Sequence, residues 1–558
     1  MASPTDVAAG VFNPAHNTLL LNAAWVASSR TAGETYLAGE RFAGEAPDDL
    51  LLTGRAPSAD GRYALAVHDA AAAALVLARD PAGSVSLFWQ RGRDGCIRFA
   101  TDLDALLRSL PEAPAISRQG LDEFLRFLDI APPNTIYYRV YALEAGQALR
   151  LTAAGEQPLP APPPTTVPGS YAEACDRVEA ALKAAISRRL VDVRSPATFL
   201  SGGIDSALLC AQAVGAGFPV TAWSAGFDDP VLDESATAAR IAAHLGCRHE
   251  VVRPDTAALA AAFERVHAQA EQPFCDPAGM PTRLLYEACA AQSDRALDGT
   301  GAEALPGLMP ARWRRIAHDH VARLPRALRR ALACGLRPLP GVGGYARLFE
   351  FDVAQDLYIR WQGFRSDDIA RLTGRPPDLS GTRFYREHAA LAGASHLKRL
   401  SVLQGEAPPD DRIRQAARAT RLRVDHPFGA PQVSSLLRAL PEDWAWQPER
   451  EKRLLRDLLA RQVPEALWDA PKRGFNIDLP KLLRRQDAAL VRSGLEDRGT
   501  LEAVGLDATE VARWRDLFLS GDDSATHKVW ALIALSAWLG RRHSAASARA
   551  AEAAPRLK

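Results

Sequence analysis

Cysteine, charge of one sign and long apolar runs are all scarce in this sequence, and each scarcity excludes something. Seven cysteines stand far apart, at 96, 175, 210, 247, 275, 289 and 334. None forms a C-x2-C pair, and the count is odd. A disulfide framework is therefore not expected, and a reducing compartment, the cytoplasm, is. Basic and acidic residues nearly cancel, 67 against 66, for a net charge of +1. That balance argues against nucleic acid as the main partner. No run reaches the roughly 18 uncharged apolar residues of a membrane span. Met1 to Pro14 lack the basic and apolar regions of a signal peptide. No internal repeat is evident. What remains is an ordinary globular balance, 47% hydrophobic and 24% charged over 558 residues. At roughly 100–200 residues per domain, that length predicts two to four domains.

Residues 1–155 read as β-rich. Tyr63–Asp69 and Ala74–Asp80 are short apolar runs bounded by Asp60-Gly61 and Pro81-Ala82-Gly83, as strands are. Ser86–Trp89 and Ile97–Ala100 read as further strands, and Gln119–Leu128 as a short helix. Residues 156–170 carry Pro158, Pro160, Pro162, Pro163, Pro164 and Pro168 and read as a stiff linker. From Tyr171 the pattern changes. Tyr171–Leu190 has helical spacing, Ala197–Leu200 is a strand, Ser206–Val214 a helix, Val220–Ser224 a strand and Asp233–Leu245 a helix. Val251-Val252 is extended again. The alternation predicts a parallel sheet with helices on its faces. The rest, to about residue 540, reads as mostly helical, and 541–558 as a frayed tail.

The chemistry is densest at Ser201-Gly202-Gly203-Ile204-Asp205-Ser206, between a strand and a helix. Two glycines let the backbone turn sharply and approach an anion. The N–H groups at the helix start point at that anion, and the helix dipole adds to the attraction. Ser201 and Ser206 offer hydroxyls. Asp205 would repel a bare phosphate but suits Mg2+, a hard cation that prefers carboxylate oxygens. No Gly-Lys-Ser/Thr follows, so this is not a Walker A loop, and G-x-G-x-x-G is absent.

This segment resembles the PP-loop of ATP pyrophosphatases, and more closely that of the asparagine synthetase superfamily. Six further segments resemble that superfamily in order. They include Arg79-Asp80-Pro81-Ala82-Gly83 with Leu87-Phe88-Trp89, Phe99-Ala100-Thr101-Asp102-Leu103, and Ser224-Ala225-Gly226-Phe227. Asp233-Glu234-Ser235 through His249, Glu271-Gln272-Pro273-Phe274 with Asp276-Pro277, and Pro471-Lys472-Arg473-Gly474-Phe475 complete the set. The resemblance implies an α/β chain of two domains. Residues 1–155 would form a degenerate glutaminase-like sandwich of the Ntn-hydrolase type. Residues 171–540 would form a PP-loop ATP-pyrophosphatase domain. It also implies ATP and Mg2+, a carboxylate adenylated with release of pyrophosphate, and an amine that then displaces AMP. Ser201, Gly202, Gly203, Asp205, Ser206, Ser224, Gly226, Phe227 and Gly301 would bind the nucleotide. Asp205 and Glu303 would hold the metal, Glu303 from Asp298-Gly299-Thr300-Gly301-Ala302-Glu303. Lys472 and Lys452 would be the cations beside the phosphates.

Two departures bear on the product. Glutamine-dependent members carry a cysteine at position 2, where this sequence has Ala2, which is no nucleophile. The family's dyad positions are occupied by Thr300 and Arg423, so neither the asparagine nor the β-lactam dyad carries over. The reading that fits is a lasso-peptide macrolactam synthetase. It would join an Asp or Glu side chain of a precursor peptide to that peptide's own N-terminal amine, with a leader peptidase and a leader-recognition protein as partners. The alternatives are an amidotransferase using ammonia or a small amine, and a non-catalytic scaffold. His244, Cys247 and His249 resemble a metal cluster by composition, but a helix end running into a strand seldom aims three side chains at one ion. Seven arginines between Arg312 and Arg330 read first as a solvated helix face and second as a groove for an acidic peptide.

Overall fold

In the computed structural model the described residues are 7–29, 34–42, 54–359, 363–404, 411–448, 450–469, 477–496 and 498–553. The amino-terminal strands are β1 (Ala9–Asn13), β2 (Thr18–Leu21), β3 (Val26–Ser29), β4 (Glu34–Arg41), β5 (Gly61–Asp69) and β6 (Ala74–Arg79). They continue with β7 (Phe88–Arg91), β8 (Ile97–Ala100), β9 (Tyr141–Ala142), β10 (Ala148–Thr152) and β11 (Gly155–Pro158). They form two sheets, in the orders β2-β1-β8-β7-β9 and β11-β10-β6-β5-β4-β3. Alternation explains their packing. Ala64 and Ala66 of β5 face a core shared with Phe12, Leu75, Trp89 and Phe99, while Tyr63, Leu65 and Val67 face a second core on the outer side. The result is a sandwich of two antiparallel sheets.

The carboxy-terminal region is built on a parallel sheet of β12 (Pro196–Phe199), β13 (Thr221–Ala225), β14 (Arg248–Val252), β15 (Arg295–Leu297) and β16 (Arg423–Asp425). Its order is β14-β13-β12-β15-β16, and every pair is parallel. All four residues of β12 are buried, as a central strand covered on both faces must be. The helix Tyr171–Leu190 buries Ala174, Val178, Leu182 and Ile186, at spacings of four, against one face. Its N-cap is Ser170, which accepts the Glu173 N–H. Helix Gly279–Ala290 covers the other face, where Tyr286 stacks on Phe199.

The chain runs outward from β12 through β13 to β14, then returns to place β15 on the other side of β12. The loops after β12 and β15 therefore diverge at the carboxyl edge. That is the switch point where open α/β sheets bind ligands.

A further core joins the two halves: Leu121, Phe124 and Leu125 pack with Trp514, Trp530 and Trp538 from the last helices. The final helix, Thr526–Ala553, runs past residue 541, where the sequence predicts a frayed tail. The reason lies at its middle. Arg542 donates to the Glu271 carbonyl at 2.8 Å, Arg541 to that of Ala270, and both pair with Asp104. No described helix is long and apolar enough to cross a membrane.

Candidate active site

Ser201, Gly202 and Gly203 lead from β12 into the helix Ile204–Gly215. The helix starts on Gly203, which has no side chain to cap it, so its first N–H groups stay available to an anion. Hydroxyls hold the loop open. The Ser201 N–H donates to Ser206 Oγ at 3.0 Å, the Gly203 N–H donates to Ser201 Oγ at 3.1 Å, and the two hydroxyls lie 2.9 Å apart. The loop after β15 leans on this turn: a Cβ on Gly299 would stand 3.3 Å from the Ser206 nitrogen.

Asp205, in the first helical turn, meets Lys452 across the loop, with Nζ 2.5 Å from Oδ2. Lys452 is 5% exposed, with a left-handed φ of 53°, at the start of the helix Arg453–Ala460. That helix buries Leu454, Leu455, Leu458 and Leu459, which fixes where Lys452 points. Burial works to depress the ammonium's pKa, but Asp205 and then Glu303 outweigh it and hold the pKa above its ordinary value. Lys452 is thus a permanent cation between two carboxylates. Asp205 Oδ1 is buried and has no hydrogen-bond partner.

Glu303 lies in the short turn Ala302–Ala304. Its Oε2 accepts the Gly301 N–H at 3.1 Å, and its carbonyl accepts the Ser401 hydroxyl at 3.0 Å. Gly301 has φ of 100°, and a Cβ there would come 2.9 Å from the Gly429 nitrogen, so this turn requires glycine.

Beside the loop is a cavity of about 170 Å3 lined by Phe199, Trp223, Ser224, Phe227, Tyr286 and Asp298, among others. Pockets that enclose a whole drug-sized ligand hold roughly 300–1,000 Å3, so this one has room for a single ring system. Phe199 and Tyr286 stack at 4.4 Å along its wall. Trp223 Nε1 and Tyr286 Oη are buried without hydrogen-bond partners. Asp298, at the end of β15, accepts the Thr300 N–H at 2.8 Å. The Ser224 hydroxyl donates to the Leu200 carbonyl at 2.5 Å and lies 2.8 Å from His249 Nε2, tying β13 to the end of β12. The Gly226 N–H donates to the Val252 carbonyl at 2.8 Å.

The structure therefore gathers Ser201, Gly202, Gly203, Asp205, Ser206, Gly301, Glu303 and Lys452 around one point, with Ser224 and Phe227 on the adjoining cavity. Lys472 lies outside the described residues. Arg423 is not in the site. It starts β16 at the opposite sheet edge, 3.7 Å from Glu40, in a groove of about 1070 Å3. That groove is larger, but it opens at the amino ends of the strands, the edge away from the expected ligand side. His244, Cys247 and His249 turn to three different neighbours: the Gln462 carbonyl, Cys210 and Ser224. Of the arginine run only Arg329 is buried, and Arg312, Arg323 and Arg330 are exposed, as a solvated face would have them. Arg314 donates to the carbonyls of Leu357 and Ile359, Arg329 to those of Phe351 and Asp352, and Arg326 and Arg330 pair with Asp367. Sequence reasoning missed Tyr286, Trp223 and Asp298 as site residues. Only Asp298 left a signal, its place at the head of the segment Asp298-Gly299-Thr300-Gly301-Ala302-Glu303.

Compared with known families, residues 177–540, more than half of the chain, match the asparagine synthase model. The chain belongs to the asparagine synthase family. Residues 54–160 match a glutamine amidotransferase domain, a stretch that takes in β5 to β11 of the sandwich. This asparagine synthase family chain is 26% identical over 505 residues to a chain from Mycobacterium tuberculosis (strain CDC 1551 / Oshkosh) named as a glutamine-hydrolyzing asparagine synthetase. The match covers 86% of this chain and 76% of the relative. Asparagine synthetase 1 of Bacillus subtilis (strain 168) is 21% identical over 477 residues, covering 83% and 74%. Among solved structures, an NMN synthetase from Francisella tularensis matches at a TM-score of 0.21 and 18% identity, covering 42% of this chain and 93% of that one. As an asparagine synthase family member the protein is an ATP-dependent carbon–nitrogen ligase.

Proposed function

We propose that the protein closes a macrolactam in a precursor peptide, in the manner of lasso-peptide cyclases. It adenylates an Asp or Glu side chain and joins it to the peptide's own N-terminal amine. One observation carries the choice of amine. Residues 1–155 of this sequence contain a single cysteine, Cys96. It sits in the β7–β8 hairpin, where burial and the neighbouring Asp94 push its thiol pKa up. Such a thiol is a poor nucleophile and ill suited to releasing ammonia from glutamine. An amine already on the substrate removes the need for one.

The chemistry follows from the charges. ATP places its base in the ring-sized cavity and its phosphates over the uncapped start of helix Ile204–Gly215. The substrate carboxylate attacks the α-phosphorus, the bond to the bridging oxygen breaks, and pyrophosphate leaves toward Lys452. The fixed cation and the helix N–H groups are already aimed at the negative charge that develops there. Asp205 and Glu303 would hold Mg2+. The unpartnered Asp205 Oδ1 and an all-carboxylate donor set fit that ion. When bound it neutralises charge on the departing pyrophosphate. Lys472, in a segment that resembles the family's late P-K-x-G-F, would supply a second cation. The N-terminal amine then attacks the acyl carbon and releases AMP. We further read the chain as a sandwich domain over 1–155, whose last strand β11 runs on to Pro158 into the linker read over 156–170, and a synthetase domain over 171–540.

A second reading has the relatives' names behind it: an amidotransferase that uses ammonia on a small acid. Mass spectrometry separates the two. Incubation with ATP, Mg2+ and a candidate precursor peptide is expected to give a peptide lighter by one water, with AMP and pyrophosphate in equal amounts. Conversion of aspartate and ammonia to asparagine, with the peptide unchanged, would overturn the proposal.

A further inference from the structure

We propose that His318, Asp319 and His396 form a divalent-metal site, best suited to Zn2+, separate from the nucleotide site. The helix Arg312–Ile316 does not continue as α-helix. It widens into a π turn, Ala317–Val321, a distortion that recurs at functional sites. The turn carries His318 and Asp319. The third residue, His396, opens the helix His396–Gln404. Asp319 bridges the rings: its Oδ1 is 3.0 Å from His318 Nδ1 and its Oδ2 is 3.1 Å from His396 Nε2. The three ligand atoms lie within 4.8 Å of one another. Donors around a tetrahedral zinc, with bonds of about 2.0–2.2 Å, stand roughly 3.3 Å apart. Drawing the widest-spaced donors together by up to about 1.5 Å would convert this cluster into a coordination sphere.

The surroundings support the assignment. His396 Nδ1 lies 2.7 Å from the Tyr358 hydroxyl. With Nε2 facing a metal, Nδ1–H donates to that oxygen, the outer contact that fixes the tautomer of a metal-bound histidine. The neighbouring guanidinium, Arg399, is directed to His388 Nε2 at 3.4 Å. The side chains of His318 and His396 are 20% and 22% exposed and that of Asp319 46%. The site is therefore open to solvent, with room for water as a fourth ligand.

The position also gives the metal a role. Helix His396–Gln404 carries Ser401, whose hydroxyl holds the carbonyl of Glu303. A metal at His396 would staple that helix to the π turn and so steady the turn that carries Glu303, the proposed Mg2+ ligand.

Calorimetric titration of the chelator-stripped full chain with ZnCl2, in excess Mg2+, tests this. One saturable site per chain is expected. Asp319→Asn and His396→Gln should each weaken it by about tenfold or more, and Tyr358→Phe by a smaller factor. Asp319 is half exposed, so its variant should fold, and far-UV circular dichroism will verify that. Absence of a saturable heat would overturn the site. So would unchanged affinity in both Asp319→Asn and His396→Gln, the result expected if cysteines held the zinc.

Discussion

Asp205 presents one oxygen to Lys452 and keeps the other buried without a partner. Asp205→Asn removes the charge that both a metal and the lysine need, while keeping the side chain's volume. ATP–pyrophosphate exchange should fall by at least about 100-fold, with the far-UV circular dichroism unchanged. Exchange at the native rate would refute the metal assignment. Glu123 sets a different test. Burial raises its pKa to about 7, against the hydrogen bonds it accepts from Asn134 and the Ala131 N–H. The folded-state pKa is above the unfolded one, so its contribution is intact below the unfolded value and is lost as pH rises toward 7. At 1.36 kcal/mol per unit this amounts to at most about 3 kcal/mol. Glu123→Gln does not titrate. Urea unfolding should show its stability gaining on the native chain between about pH 4.5 and 7. A constant difference across that window would refute the shift. His267 and His426, held neutral by burial at about 4 and about 3, act in the opposite sense, so only the difference between variants isolates Glu123.

Among the elements, the loop after β15 is tightly constrained at Gly301. Gly301→Ala would force a side chain into a left-handed φ of 100° and against the Gly429 nitrogen. A cost of about 1–3 kcal/mol is expected in chemical denaturation, together with loss of exchange, because Glu303 follows two residues later. This loop also shows what sequence can reveal. The sequence-predicted helix at Tyr171–Leu190 and strand at Ile97–Ala100 are observed at those limits, because each has a full period of burial and clear stops. β15 and β16 are three residues each, shorter than any window in which a period of two can be seen. Without them Arg423 has no address, and its place at the far sheet edge could not be anticipated. Ser201 to Ser206 were legible because glycine, hydroxyl and carboxylate fall together in one turn. Tyr286 was not, because an aromatic inside an apolar helix looks like core until its hydroxyl is found unpartnered beside a cavity.

Across the whole molecule, ion pairs to buried carboxylates tie the sandwich to the synthetase region. Asp60 receives Arg189 at 2.7 Å, both side chains 1% exposed, and Arg188 at 3.1 Å. Arg126 meets Asp356 at 2.5 Å, and Arg375 meets Asp122 at 2.7 Å. Removing one partner leaves the other charge buried without it. Asp60→Ala should therefore cost about 3–5 kcal/mol in chemical denaturation, far more than loss of an exposed pair such as Arg484–Asp523. A change below about 1 kcal/mol would mean that the two regions do not depend on this contact.

Lys452 reaches Asp205 from 247 positions further along the chain. At about 5–20 residues per second, a ribosome needs roughly 12–50 seconds to travel from one to the other. During that interval the nascent polypeptide has its glycine turn but not the ammonium that completes it. The Asp205–Lys452 pair therefore cannot form until the chain has been made as far as residue 452.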